Sequence, residues 1–142
     1  MTLLDANILL YAHNPDVPQH EPVTKWLVEL TRRQESVALS WLTLWAFLRI
    51  STNQRVSPKP LAPAKAWQLV HEWLEQPGMV LIHPGPRHAA ILEELMREAS
   101  AIGPHVTDAA LAALAIEYGA TLASTDRDFR RFPTLRWVNP LP

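Results

Sequence analysis

Residues 106–129 read "VTDAALAALAIEYGATLASTDRDF" and hold a complete helix-to-strand step. Small apolar residues fill Ala109 to Ile116 on every side, which predicts a core helix from Asp108 to Tyr118. Thr107 is its expected N-cap and Gly119 its C-terminal stop. "TLAST" (121–125) then reads as a buried strand that runs into Asp126 and Asp128.

The same alternation extends through the rest of the chain. Thr2 to Leu4 predicts a first strand feeding a helix from Ala6 to Tyr11, and "EPVTKWLVELTRR" (21–33) spaces Val23, Trp26, Leu27 and Leu30 as one helical face. "SVALS" (36–40) predicts a second strand, and "WLTLWAFLRIST" (41–52) a helix apolar nearly all round, hence buried. After the proline-punctuated loop "NQRVSPKPLAP" come a helix from Ala64 to Glu75, a strand at 79–83, a helix from Pro86 to Ser100 and, near the end, a short strand in "LRWVNP". No hairpin signal interrupts the series. Strands alternating with helices predict an α/β fold, with a mostly parallel sheet of four to five strands between two helical layers.

At 142 residues the chain is expected to be one domain, 1–142. It has no cysteine, which excludes thiolate chemistry and fits a reducing, cytoplasmic setting. The N-terminal "MTLLDANILLYAH" lacks a basic lead-in and carries Asp5 within its apolar run, so it reads poorly as a signal peptide, and no apolar stretch is long enough to span a membrane. The net charge of −1 provides no global attraction to nucleic acid, although Arg127, Arg130, Arg131 and Arg136 form a local basic strip.

In an open parallel sheet, ligands bind beyond the carboxyl ends of the strands. Asp5 ends the first strand, Asp126 follows the fourth with Asp128 close behind, and Asp108 opens a helix. Taken singly, Asp108 could serve as a helix-terminal acid, and Asp126 and Asp128 as turn residues bonding their own backbone. Asp5 resists such a reading, because a carboxylate between Leu3-Leu4 and Ile8-Leu9-Leu10 is costly to bury unpaired and no Lys or Arg is near it in sequence. Taken together, Asp5, Asp108 and Asp126 suggest a shared divalent cation, since Mg²⁺ and Mn²⁺ take oxygen ligands and Mg²⁺ retains waters. Such an ion suits phosphoryl chemistry, whereas no Walker loop and no nucleophile elbow is present. The six histidines form no His-x-x-x-His pair and read as surface or supporting residues. The six tryptophans read as core or interface.

With "LLDANILLYAH", "FLRISTNQRV" and "VTDAALAALAIEYGATLASTDRDFRRFPTLRWVNPL", the chain resembles PIN-domain ribonucleases, specifically the VapC-type toxins of toxin–antitoxin pairs. The resemblance implies an Mg²⁺- or Mn²⁺-dependent endoribonuclease that cuts structured RNA (tRNA or rRNA), forms a homodimer and is silenced by a VapB-like antitoxin. It assigns Asp5, Asp108 and Asp126 as metal ligands and catalytic acids, with Asp128 as a further catalytic member. Asn7 and Thr125 are implied as supporting polar groups. Arg49 stands one helical turn from Ala46, where it would either contact an RNA phosphate or pair with one of the aspartates as a structural salt bridge, and Arg127 is a further candidate for RNA contact. One position departs from the family: the glutamate of its "E-F-L-R" context is Ala46 here, which removes a charge and argues against a second ion. An alternative reading therefore keeps the fold and the antitoxin interface without cleavage. A dehalogenase-like phosphatase is disfavoured, because Asn7 stands where that chemistry needs a second acid. The helices at 21–33 and 41–52 are expected to offer apolar grooves to an antitoxin helix.

Overall fold

Leu3, Ala38 and Leu122 point to one face of a sheet while Leu4, Leu39 and Ala123 point to the other, and all six are essentially inaccessible to solvent. Burial on both faces is what a central parallel sheet requires. The computed structural model describes residues 1–142 and resolves the chain as β1 (Thr2–Leu4), α1 (Ala6–His13), α2 (His20–Arg32), β2 (Val37–Leu39), α3 (Trp41–Ser51), α4 (Pro63–Leu74), β3 (Met79–Leu81), α5 (His88–Glu98), α6 (His105–Glu117), β4 (Thr121–Ala123), a 3₁₀ turn (Arg127–Arg131) and β5 (Trp137–Val138). The five strands lie in the order β3-β2-β1-β4-β5. Every neighbouring pair is parallel. The architecture is the expected α/β/α sandwich. Helices α1 to α4 cover one face around Leu9, Val23, Phe47 and Val70, and α5 and α6 cover the other around Leu95, Ala112 and Leu114.

Strand order reverses at β1. From β1 the chain builds outward through β2 to β3, then returns across the sheet to place β4 on the opposite side of β1. The carboxyl ends of β1 and β4 therefore flank the switch point, where an open sheet leaves a crevice.

Two expectations are corrected. α6 begins at His105, and Thr107 lies exposed inside its first turn without capping it. The cause is local: Gly103 at φ +57° turns the chain, and Pro104 at φ −58° is already set for a helix. α3 is not buried all round, since only Thr43, Leu44, Phe47 and Ser51 are covered and Trp45 is 61% exposed. α1 packs against both α2 and α3. The remaining apolar surface of α3 therefore opens on its far side, where Trp41, Leu42 and Trp45 line a pocket of about 260 Å³ with Ile82 and Pro84. The tryptophans follow the same pattern: none is fully buried, and Trp67 is 42% exposed.

Candidate functional site

Asp5 leaves β1 in extended geometry and caps α1, with Oδ1 accepting from the Ala6 N–H at 2.7 Å. Its backbone N–H donates to the Ala123 carbonyl of β4, which ties the two strand ends together. The decisive neighbour is Ser124, fully buried at the end of β4. Its hydroxyl donates to Asp5 Oδ2 at 2.7 Å and accepts from Asn7 Nδ2 at 2.9 Å and from the Asp126 N–H at 3.0 Å. One donor and two acceptor lone pairs are all a serine has, so the hydroxyl is saturated. Asn7 completes the ring: Nδ2 also donates to Asp5 Oδ2 at 3.2 Å, and Oδ1 accepts from the Thr125 N–H at 3.2 Å. Asn7 thus bonds Asp5 and Ser124 through one amide group. Thr125 contributes through its backbone N–H.

Asp126 caps the 3₁₀ turn, with Oδ1 accepting from the Asp128 N–H at 2.8 Å. That is the self-bonded turn foreseen as an alternative, and it aims Asp128 back toward α6. Asp108 sits in the first turn of α6, where the helix dipole favours an anion, and Oδ2 lies 3.4 Å from His105 Nδ1. Asp5 and Asp108 line one cleft of about 370 Å³ with Ala46 and Arg49. Arg49 is exposed and joins none of the chain's ion pairs. Arg127 is exposed on the 3₁₀ turn.

The electrostatics follow from this placement. Burial pushes the Asp5 carboxyl above the ordinary aspartate range, the bonds from Ser124 and Ala6 pull it back in part, and the charges of Asp108 and Asp126 push it up again. Burial likewise raises Asp108; the His105 contact opposes the rise, and Asp126 and Asp128 add to it. No Lys or Arg approaches any of the four acids within ion-pair distance, and His105 alone pairs with Asp108.

Asp5, Asp108 and Asp126 thus share one electrostatic neighbourhood. The tightest ligand group is nevertheless a different one: His105, Asp108 and Asp128, whose ligand atoms all lie within 4.8 Å of one another. Two carboxylates and an imidazole are a donor set that suits a divalent ion. Sequence reasoning passed over Ser124 and His105. A serine ending an apolar strand carries no distinctive signal. His105 and Asp108 are three apart and share a helix face, a pairing hidden by placing the helix start after His105.

Comparison with known proteins identifies the family. A family model described as "PIN domain" matches residues 2–135, and the chain belongs to the PIN-domain family. Within it the chain is 39% identical over 140 residues to Ribonuclease VapC37 of Mycobacterium tuberculosis, covering 99% of this chain and 97% of the relative. It is 40% identical over 141 residues to Ribonuclease VapC33 of the same organism, covering 99% of each. The VapC-type resemblance seen in the sequence thus spans nearly the full length. A crystal structure of VapBC2 from Rickettsia felis bound to a DNA fragment from their promoter superposes with a TM-score of 0.74 at 22% identity, over 97% of both chains, and shows the same fold.

Proposed function

We propose that this protein is a divalent-metal-dependent endoribonuclease and the toxin of a VapBC-type toxin–antitoxin pair, working as one nuclease domain over residues 1–142. One observation carries the reading: four acids gather at the switch point, the two lining the cleft are desolvated and raised, and no Lys or Arg neutralises them. Acids serving only the fold would be paired.

Asp5, Asp108 and Asp126 would hold Mg²⁺ or Mn²⁺, with Asp128 close enough to take part. When bound, such an ion polarises a phosphate oxygen and lowers the pKa of a coordinated water. The chain's own residues prepare the site. Ser124 and the Ala6 N–H fix the two oxygens of Asp5, and Asn7 locks the β4 loop against them. Arg49 presents an unpaired guanidinium to the same cleft and would grip a substrate phosphate in bidentate fashion. Arg127 would meet a flanking phosphate.

The substrate class is structured RNA, either transfer or ribosomal. This follows the ribonuclease names of the relatives and the RNA-directed activity the family resemblance implies. The partner is a VapB-like antitoxin, the assembly is a homodimer and the setting is the cytoplasm; no helix is long and apolar enough to cross a membrane. Ala46 favours a second reading, a PIN-fold binding protein without cleavage, because it removes one carboxylate from the cleft.

One assay separates the two readings. Purified protein is incubated with total RNA, with and without Mg²⁺ or Mn²⁺, beside Asp5→Asn. Ion-dependent cleavage that Asp5→Asn loses supports the nuclease. RNA left intact by the wild type with either ion, as it is with Asp5→Asn, supports the binding protein.

A further inference from the structure

Ala46 presents only a methyl to the cleft, so one ligand position on that wall is empty of donors. Asp108 lines the same cleft, and His105, one turn before it at the start of α6, turns Nδ1 toward Asp108 Oδ2. Their separation of 3.4 Å is longer than the ~2.8 Å of a tight charge-assisted hydrogen bond, so the imidazole is held beside the carboxylate without being consumed by it. Asp128 arrives from the turn after β4 and closes the group, all ligand atoms lying within 4.8 Å of one another. Ligands about 2.1 Å from an octahedral ion stand about 3.0 Å apart when adjacent and about 4.2 Å when opposite. The group therefore needs only small side-chain adjustments to surround one ion.

The chemistry of this set differs from an all-carboxylate one. An imidazole adds a donor but no negative charge. Mg²⁺ relies on hard, charged oxygen ligands and binds nitrogen poorly, whereas Mn²⁺ and the later first-row ions accept it. We propose that His105 is a nitrogen ligand of the bound ion, supplying the donor that position 46 lacks and giving the site a preference for Mn²⁺-like ions over Mg²⁺. This rests on the metal-dependent reading above.

The full-length protein, stripped of metal, is titrated with Mn²⁺ and separately with Mg²⁺ by calorimetry, and the Mn²⁺-loaded form is examined by electron spin echo envelope modulation. The same is done for His105→Gln, Ala46→Glu and Asp108→Asn. The wild type should show ¹⁴N modulation from a coordinated imidazole, absent in His105→Gln. In that variant Mn²⁺ affinity should fall about tenfold or more while Mg²⁺ affinity moves by less than about twofold. Ala46→Glu should raise Mg²⁺ affinity more than Mn²⁺ affinity, narrowing the preference. Circular dichroism confirms that each variant is folded. Mn²⁺ bound without ¹⁴N modulation, modulation that survives His105→Gln, or equal loss for both ions would overturn the role of His105 and leave the metal site standing. A wild type that binds neither ion, or binds both no better than Asp108→Asn does, would overturn the metal-dependent reading and this inference with it.

Discussion

The two ends of α6 carry acids treated in opposite ways. At its C-terminal end, Glu117 is fully used: Oε1 accepts from the Gly85 N–H at 2.8 Å and Oε2 from the Arg87 N–H at 2.9 Å, while Arg87 Nη2 donates to the Glu117 carbonyl at 2.6 Å. Next to it the Tyr118 hydroxyl donates to the His83 carbonyl at 2.8 Å. The bonds from the Gly85 and Arg87 N–H groups, led by the one from Gly85, hold the Glu117 carboxyl below its usual range. At the other end Asp108, like Asp5 across the cleft, is pushed upward by burial and by its fellow acids. An acid that serves the fold is paired and easily ionised. An acid kept desolvated among like charges raises the energy of the metal-free protein, and function is the reason to retain it.

The sharpest way to break this contrast is to neutralise one acid from each group. Asp5→Asn or Asp108→Asn should lower metal-dependent RNA cleavage by about a thousandfold or more, the scale expected when an ion worth several kcal/mol to the transition state is lost. Asp108→Asn should not lower the melting temperature of the metal-free protein, because it removes a repelled charge, whereas Asp5→Asn also sets an NH₂ against the donors that hold Asp5 and should give up part of that gain. Glu117→Gln should do the reverse, leaving cleavage near wild type and weakening the α5–α6 side of the fold. Gel assays of RNA cleavage beside thermal melts in a chelator measure both. Equal cleavage losses for Asp108 and Glu117 would remove the distinction.

The fold was legible because its signals are local: apolar runs that end in acids, Gly119 closing α6, and a carboxylate at Asp5 between apolar segments with nothing nearby to neutralise it. What escaped depends on contacts that folding alone creates. Ser124 meets Asp5 across 119 residues of chain because β1 and β4 are neighbours in the sheet, and no local pattern reports that. His105 escaped for a different reason: Gly103-Pro104 starts the helix earlier than the Thr-Asp pair suggested. Ser124→Ala tests the hidden hub. It strips a bond from Asp5, Asn7 and the Asp126 N–H at a fully buried position and should cost about 1–3 kcal/mol in denaturant unfolding, the range for buried polar groups left unsatisfied. Cleavage should fall too, since the orientation of Asp5 depends on this hydroxyl.

The pH dependence of stability should show the same opposition with a smaller effect. Asp5 and Asp108 are raised in the folded state, so the native protein binds more protons than the unfolded chain between the ordinary aspartate value and the raised one. Their contribution therefore favours folding as pH falls through that window and is lost as pH rises above it. Glu117 is lowered, so its contribution is present above the ordinary glutamate value and disappears as pH falls through the depressed one. Urea unfolding of the metal-free protein as pH falls from neutral toward the ordinary aspartate value should show wild type gaining stability relative to Asp108→Asn. Saturating metal at neutral pH should remove that gap, because the ion stabilises the ionised carboxylates by mass action.

The smallest effect is expected at Gly85, where the comparison meets steric limits. A Cβ there would lie 2.6 Å from Glu117 Oε2, closer than atoms tolerate, and the backbone at this residue is not in the left-handed region. The missing Cβ lets the carboxylate approach this closely, and a methyl at 85 would shift the flexible end of Glu117 off its two N–H donors. Gly85→Ala should accordingly speed hydrogen exchange at the Arg87 amide, lower the melting temperature slightly and raise the Glu117 carboxyl back toward its usual range. Cleavage should stay unchanged, because the acids that line the cleft lie at the opposite end of α6. A loss of cleavage in this variant would mean that the two ends of the helix are coupled, and that pairing at Glu117 helps to position Asp108.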